Sequence, residues 1–306
     1  MRPASPYRLP RGSDDCTLRI EGGVATRLLH VEGRPVLVRA WQPAPGRVLL
    51  RAQPVEPGAV TLPLPGEPDP APAGPDRLEL AIERMRFVLG VDYDLGEFHR
   101  RFRRNPLLGP LIRRLPSFRP RRRVWAWEAL AAAVVGQLIE AQRAVGIERR
   151  IVGRWGPRLG EGRGALRDVP DAATIAGRAP AELASMDLAP VRAAALRRVA
   201  TEVAAGRCRP DSPAADRRLL ALPQIGPWTV QCLALFGRGD MDALPAGDLG
   251  YIKLVGRLAG LGRRATVAEV EEFYASFEPF RGLAATLTLA ALQRTVAQGR
   301  PLRFAA

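Results

Sequence analysis

The feature that most constrains this 306-residue chain is a four-residue break, Pro223-Gln224-Ile225-Gly226, between two stretches of helical periodicity. Upstream, Asp211 or Ser212 can cap a helix, Pro213 suits its first position, and Leu219, Leu220 and Leu222 are its apolar residues. Downstream, Pro227 opens a second helix with apolar positions Trp228, Val230, Cys232, Leu233, Leu235 and Phe236. The spacing predicts helix, tight hairpin, helix over 219–237. A fresh helix start behind Gly226 leaves backbone N–H groups without intrahelical partners, and an anion such as a phosphate can take them.

About twenty residues on, Ala246-Gly247-Asp248 leads into another helical pattern over 249–258. An Asp at that place is most simply an N-cap. Upstream, the run 124–145, VWAWEALAAAVVGQLIEAQRAV, is too apolar for a surface helix and is expected to be the central helix of the core. Gly136-Gln137-Leu138 within it is what a helix end at a domain edge would show.

Taken together, L-P-x-I-G-P-W-T at 222–229 and P-x-G-D-L-G at 245–250 resemble the helix-hairpin-helix (HhH-GPD) DNA glycosylases. The closest likeness is to the bacterial 3-methyladenine DNA glycosylase II branch, AlkA-like enzymes, and it runs from about 94 to 297. The resemblance implies that Gln224, Ile225, Gly226 and Thr229 grip the DNA backbone and that Asp248 is catalytic. It places Trp228, Cys232 and Leu289 at the base pocket, and Gln137 and Leu138 at a wedge that enters the duplex where a nucleotide has left. It offers the backbone carbonyls of Leu220, Leu222 and Ile225 to a monovalent cation, Na+ or K+, and implies no redox or organic cofactor. Read from the residues alone, Trp228 is equally a core tryptophan of its helix. The chain departs from the family at four positions. Gln224 replaces the first hairpin Gly, Cys232 a pocket tyrosine, Leu289 a second pocket aromatic and Glu140 a small polar residue. The oxidised-base branch has a Schiff-base Lys where Trp228 stands, and the chain's sole Lys, Lys253, lies elsewhere, so no lyase activity is expected.

The formal net charge of +15 and pI of about 11.2 suit a polyanionic partner. The basic residues are almost all Arg in a chain rich in Ala, Gly and Pro, which also fits the bias of a GC-rich genome. The Arg-dense stretch 100–123 reads as a phosphate-binding face or as a solvated face with a basic linker. Cys16, Cys208 and Cys232 make neither a disulfide framework nor a metal pattern. Residues 1–15 lack a signal-peptide core and no apolar run spans a bilayer, so a cytoplasmic, monomeric protein is expected.

Residues 16–52 are β-rich, with Val36, Val38 and Ala40 on one side of a strand and 24–31 open between strand and helix. A Pro-rich loop, 54–75, and a helix from 77 follow. The expected class is α+β, predominantly α-helical. An N-terminal domain over 1–90, built on a small antiparallel sheet, would precede an all-α glycosylase domain over 91–306. The expected function is monofunctional release of damaged, alkylated bases from double-stranded DNA. The alternative is a non-catalytic DNA-binding protein that kept the hairpin and lost turnover.

Overall fold

The computed structural model describes residues 1–13, 15–55 and 75–297, so most of the expected Pro-rich loop lies outside the described residues. Four strands, β1 (Leu18–Glu21), β2 (Val24–Val31), β3 (Arg34–Ala44) and β4 (Arg47–Pro54), form an antiparallel sheet in sequence order. Residues 24–31 are therefore a strand. Two-residue turns at Gly22-Gly23 and Glu32-Gly33 have positive φ at both positions, as the twist of tight hairpins demands. Alternation does the rest. Ala25, Leu29, Val31, Val36, Val38 and Ala40 face helix α1 (Pro75–Leu89), where Ala81, Met85 and Val88 close a core. Leu28 and Leu37 point the other way, onto Leu159 and Leu166. Those two belong to a short hairpin, β5 (Arg158–Leu159) and β6 (Leu166–Arg167).

The remainder is helical. In chain order it comprises α2 (Gly96–Phe102), α3 (Leu108–Arg114), α4 (Ala126–Gly136), α5 (Ala141–Trp155), α6 (Ala172–Ala176), α7 (Pro180–Ala184), α8 (Pro190–Ala204), α9 (Asp216–Leu220) and α10 (Pro227–Cys232). A π-helical turn, Leu233–Arg238, continues α10, and α11 (Leu249–Leu258), α12 (Val267–Ala275) and α13 (Arg281–Ala297) end the described chain. Two apolar cores organise them. One gathers α4 to α10, with Leu130, Val134, Ile147, Leu196 and Leu219 fully buried. The other gathers α2, α3 and α11 to α13 around Phe98, Tyr251, Tyr274 and Leu283. Phe236, in the π turn, packs against both. The class is α+β and predominantly α-helical, as expected. Among the described residues no helix is long and apolar enough to cross a membrane.

The single central helix expected over 124–145 is two. It stops at Gly136, the chain turns through Gln137 to Glu140, and α5 begins at Ala141. Leu138 has a left-handed backbone (φ 58°), which no helix interior tolerates. The helix end that Gly136-Gln137-Leu138 suggested is there, inside a run whose apolar content pointed to one continuous helix.

Sheet and helices meet at a buried ion cluster. Arg27 of β2 is fully buried and donates to Asp15 at 2.8 Å and to Glu128 of α4 at 2.9 Å. Arg123 lies 3.4 Å from Glu128 and 2.8 Å from Glu148, and the Val124 N–H donates to Glu128 at 3.1 Å. Burial disfavours charge on Asp15, but Arg27, Arg123 and Thr17 outweigh it and hold that carboxyl well below the usual range. At Glu128 burial wins and pushes the carboxyl up, against Arg27 and Arg123. The basic linker is thus largely internal. Arg119 lies over Tyr7, Arg122 over Phe87 and Tyr93, and Arg123 joins the ion cluster. At these three positions neither expected reading of the Arg density holds.

Candidate active site

The site lies where the two helical cores face each other, with α10 from one and the start of α11 from the other. Its foundation is the hairpin. Residues 221–226 link α9 to α10 by a tight turn in which the Ile225 N–H donates to the Leu222 carbonyl at 3.1 Å. Gln224 adopts φ 71°, the left-handed region that the usual glycine would occupy without strain. Ile225 is buried in the core, so only its backbone is available at the surface. Gly226 is the N-cap of α10, and a methyl group added there would meet nothing within 4 Å. Pro227 has no N–H and the Thr229 N–H is taken by the Gly226 carbonyl at 3.0 Å, so the donors an anion can approach there are the Gly226 and Trp228 N–H groups. Thr229 sits deeper, 1 % exposed, and its hydroxyl accepts a hydrogen bond from Gln137 at 3.0 Å.

Because an L-residue in the left-handed region costs about 1–2 kcal/mol and glycine loses about 0.4–1 kcal/mol through the freer unfolded chain, Gln224→Gly should stabilise the protein by up to about 1 kcal/mol. Chemical denaturation measures it. A loss of stability would mean that the Gln224 side chain holds the turn.

Asp248 is the N-cap of α11, as its sequence context suggested, with Oδ1 accepting the Gly250 N–H at 2.7 Å. It is half-buried, and its charge is felt by two neighbours. Burial first, and then the negative charge of Asp248, push both the Cys232 thiol and the Tyr251 phenol well above their ordinary values. Cys232 is accordingly a neutral, buried thiol with no nucleophilic character. Tyr251, buried behind Asp248 and edge-on to Tyr274 at 6.4 Å between centroids, carries no signal in the sequence beyond apolar periodicity.

Trp228 forms the opposite wall. A methyl group on Gly136 would lie 3.7 Å from its Cη2, and one on Gly247 would lie 3.7 Å from its Cβ. Two glycines thus allow the end of α4 and the loop before Asp248 to close on the indole. The Trp228 Nε1–H is buried with no protein acceptor. Leu289 of α13 completes the group. A methyl group on Gly250 would fall 2.9 Å from Asp248 Oδ1 and 3.2 Å from Leu289 Cδ2. Trp228, Cys232, Asp248 and Leu289, widely separated in sequence, are drawn together with Gly250 and Tyr251, which the sequence did not single out.

That crowding makes Gly250 a test of the carboxylate's placement. Gly250→Ala must displace Asp248, Leu289 or both, so any reaction that needs this carboxylate should slow by about tenfold or more, a misplacement effect. The measurement is a single-turnover rate beside a thermal unfolding curve. An unchanged rate would show that the position of Asp248 does not matter.

Leu138 lies at the rim. Its side chain is wholly exposed, at 102 % of the reference area, beyond the end of α4. Gln137, by contrast, faces the hairpin, and its Nε2 donates to the Gln224 carbonyl at 2.8 Å and to Thr229. Glu140, the N-cap residue of α5, is exposed. Leu220, an exposed apolar side chain, marks the hairpin end of the same surface.

No family model matches the chain. Over 234 residues it is 30 % identical to a Mycobacterium tuberculosis protein described as "Probable bifunctional transcriptional activator/DNA repair enzyme AlkA", covering 73 % of this chain and 45 % of that protein. The chain thus spans less than half the length of the curated relative it matches. Its fold follows that of a 3-methyladenine DNA glycosylase from Archaeoglobus fulgidus with a TM-score of 0.78 at 18 % identity, covering 97 % of this chain and 98 % of that one. A Clostridium acetobutylicum 8-oxoguanine glycosylase/lyase bound to DNA gives a TM-score of 0.67 at 14 % identity, covering 92 % and 90 %. The sequence relationship is thus to a protein that carries the AlkA name, and the fold is the one that these two glycosylases share.

Proposed function

We propose that this protein is a monofunctional DNA glycosylase that extrudes a damaged base from duplex DNA and releases it by hydrolysis. The observation that carries the reading is the convergence of Trp228, Asp248 and Leu289 beside a hairpin whose Gly226 backbone is open. Breaking the C1′–N bond builds positive charge on the sugar. A fixed carboxylate in a site closed to bulk water stabilises that charge and orients the attacking water. With Oδ1 engaged by Gly250, the second oxygen of Asp248 takes this role. Extrusion costs a few kcal/mol, least for damaged or mispaired bases. Leu138 fills the vacated stack as apolar wedges do, while Trp228 stacks on an electron-poor alkylated base.

The hairpin holds a phosphate through the backbone of Gln224, Ile225 and Gly226. The carbonyls of Leu220, Leu222 and Ile225, a neutral set of oxygen donors suited to a hard cation, would hold Na+ or K+ there and add positive charge beside that phosphate. The Thr229 hydroxyl serves the hairpin from inside. Release without strand cleavage is supported by Trp228, which stands where a Schiff-base lysine would have to be, and by Lys253, exposed on α11. Cys232 and Leu289 leave a single indole to face the base, less aromatic surface than an alkylpurine enzyme would suggest, so the lesions to test extend beyond alkylated bases.

Single-turnover base release from duplexes carrying 3-methyladenine, 7-methylguanine, 1,N6-ethenoadenine, hypoxanthine or uracil tests the proposal. Release with no strand cleavage before alkali is the expected result. Tight duplex binding with no release from any lesion would replace it with a non-catalytic DNA-binding role.

A further inference from the structure

The turn that carries Leu138 is strained and unsupported by its own side chain. Leu138 is left-handed and fully solvated, so nothing within the residue holds it there. The restraint comes from outside. Arg192, near the start of α8, donates from Nη1 to the Val135 carbonyl at 3.0 Å and to the Gln137 carbonyl at 2.9 Å. Both are C-terminal carbonyls of α4 that its last turn leaves without helical partners. From the other side the Gln137 amide ties the turn to Gln224 and Thr229. Gln224 is itself left-handed, so one side chain joins the strained residue of the hairpin to the turn bearing the strained leucine. The corner between α7 and α8 also grips the helix that follows. Asp187 accepts from Arg143 at 2.9 Å and from Arg150 at 3.0 Å, both on α5. One corner of the fold therefore holds the helices on both sides of the turn.

We propose that Arg192 and Gln137 are positioning residues that fix Leu138 in its protruding conformation before a duplex arrives. The inference rests on the reading above, in which this protein extrudes nucleotides. A preset wedge enters DNA without rebuilding its turn, whereas a turn free to relax presents the leucine only for the fraction of time it is competent. Without either clamp that fraction falls, and extrusion falls with it. Affinity for intact duplex, held by the hairpin and surface arginines, does not fall when Arg192 alone is lost.

The test reads unstacking without bond cleavage. A duplex carries fluorescent 2-aminopurine beside a tetrahydrofuran abasic site, and the fluorescence rise is followed at saturating protein. The native protein should give a fast rise, and Leu138→Ala little. Arg192→Leu should slow the rise about tenfold with duplex Kd within about threefold, whereas Gln137→Leu, which also unties the phosphate-gripping hairpin, should slow the rise and weaken duplex binding as well. Arg192→Lys, which keeps a charged donor, should recover part of the rate. Native rise kinetics in Arg192→Leu overturn the proposal. So does a loss matched by a lowered Tm and unrelieved by Arg192→Lys. If the native protein unstacks the probe but releases no base from any lesion, the enzymatic reading fails and the positioning role stands. If it releases bases and the variants unstack as fast as native, the positioning role fails and the enzymatic reading stands.

Discussion

Asp248→Asn is expected to slow base release by about 10²–10³-fold, the scale for removing one preorganised electrostatic group. The substitution is nearly isosteric, and an amide oxygen can still accept the Gly250 N–H that caps α11. Fold and duplex affinity should therefore survive, and the loss should fall on the rate at saturating protein. Asp248→Glu is a useful companion. It keeps the charge but moves it by a methylene in a space already crowded by Gly250 and Leu289, and an intermediate rate is expected. Equal activity of native protein and Asp248→Asn on every lesion would remove Asp248 from the chemistry and leave it an N-cap.

The second large effect concerns stability. Glu128→Ala removes a carboxylate that receives Arg27, Arg123 and the Val124 N–H, and leaves the fully buried Arg27 guanidinium with Asp15 alone. Breaking a buried pair by removing one partner costs about 3–5 kcal/mol, so the melting temperature should drop by roughly 5–10 °C for a chain of this size. Calorimetry measures it, and a shift below about 2 °C would mean that water or a rearranged Asp15 takes over the exposed charge. Duplex binding, measured well below the transition, should change little, since the cluster lies at the junction of sheet and helices.

Much of this architecture is legible in the residues. Period-two alternation at Val36, Val38 and Ala40 placed one face of a strand correctly, because each pleat has only two sides. Pro and Gly at 223, 226 and 227 placed the hairpin, because few backbones accommodate them. What stayed hidden depends on partners distant in sequence. Glu128 is a charge in an otherwise apolar helix, and its partner Arg27 is 101 residues away. The helix end at Gly136 was suggested by Gly136-Gln137-Leu138, but the Arg192 side chain that holds it lies more than fifty residues away and was not. At the candidate site the sequence supplied the residue set, and the fold added Gly250 and Tyr251. Gly250 was visible as a motif letter, but its reason, the space occupied by Asp248 and Leu289, belongs to packing.

The π turn at Leu233–Arg238 ties chain length to packing. A π turn closes its hydrogen bonds one residue later than an α-helix does and so carries one residue more in the same stretch. Deleting a single residue there would let the helix revert to ordinary α geometry over the same span, so the chain beyond would leave it in nearly its present direction. The disturbance would fall within the turn itself, on Leu235 and on Phe236, which packs against both helical cores. The extra residue of the π turn is therefore spent on joining the two cores, and its removal would be read first in stability and only through it in rate.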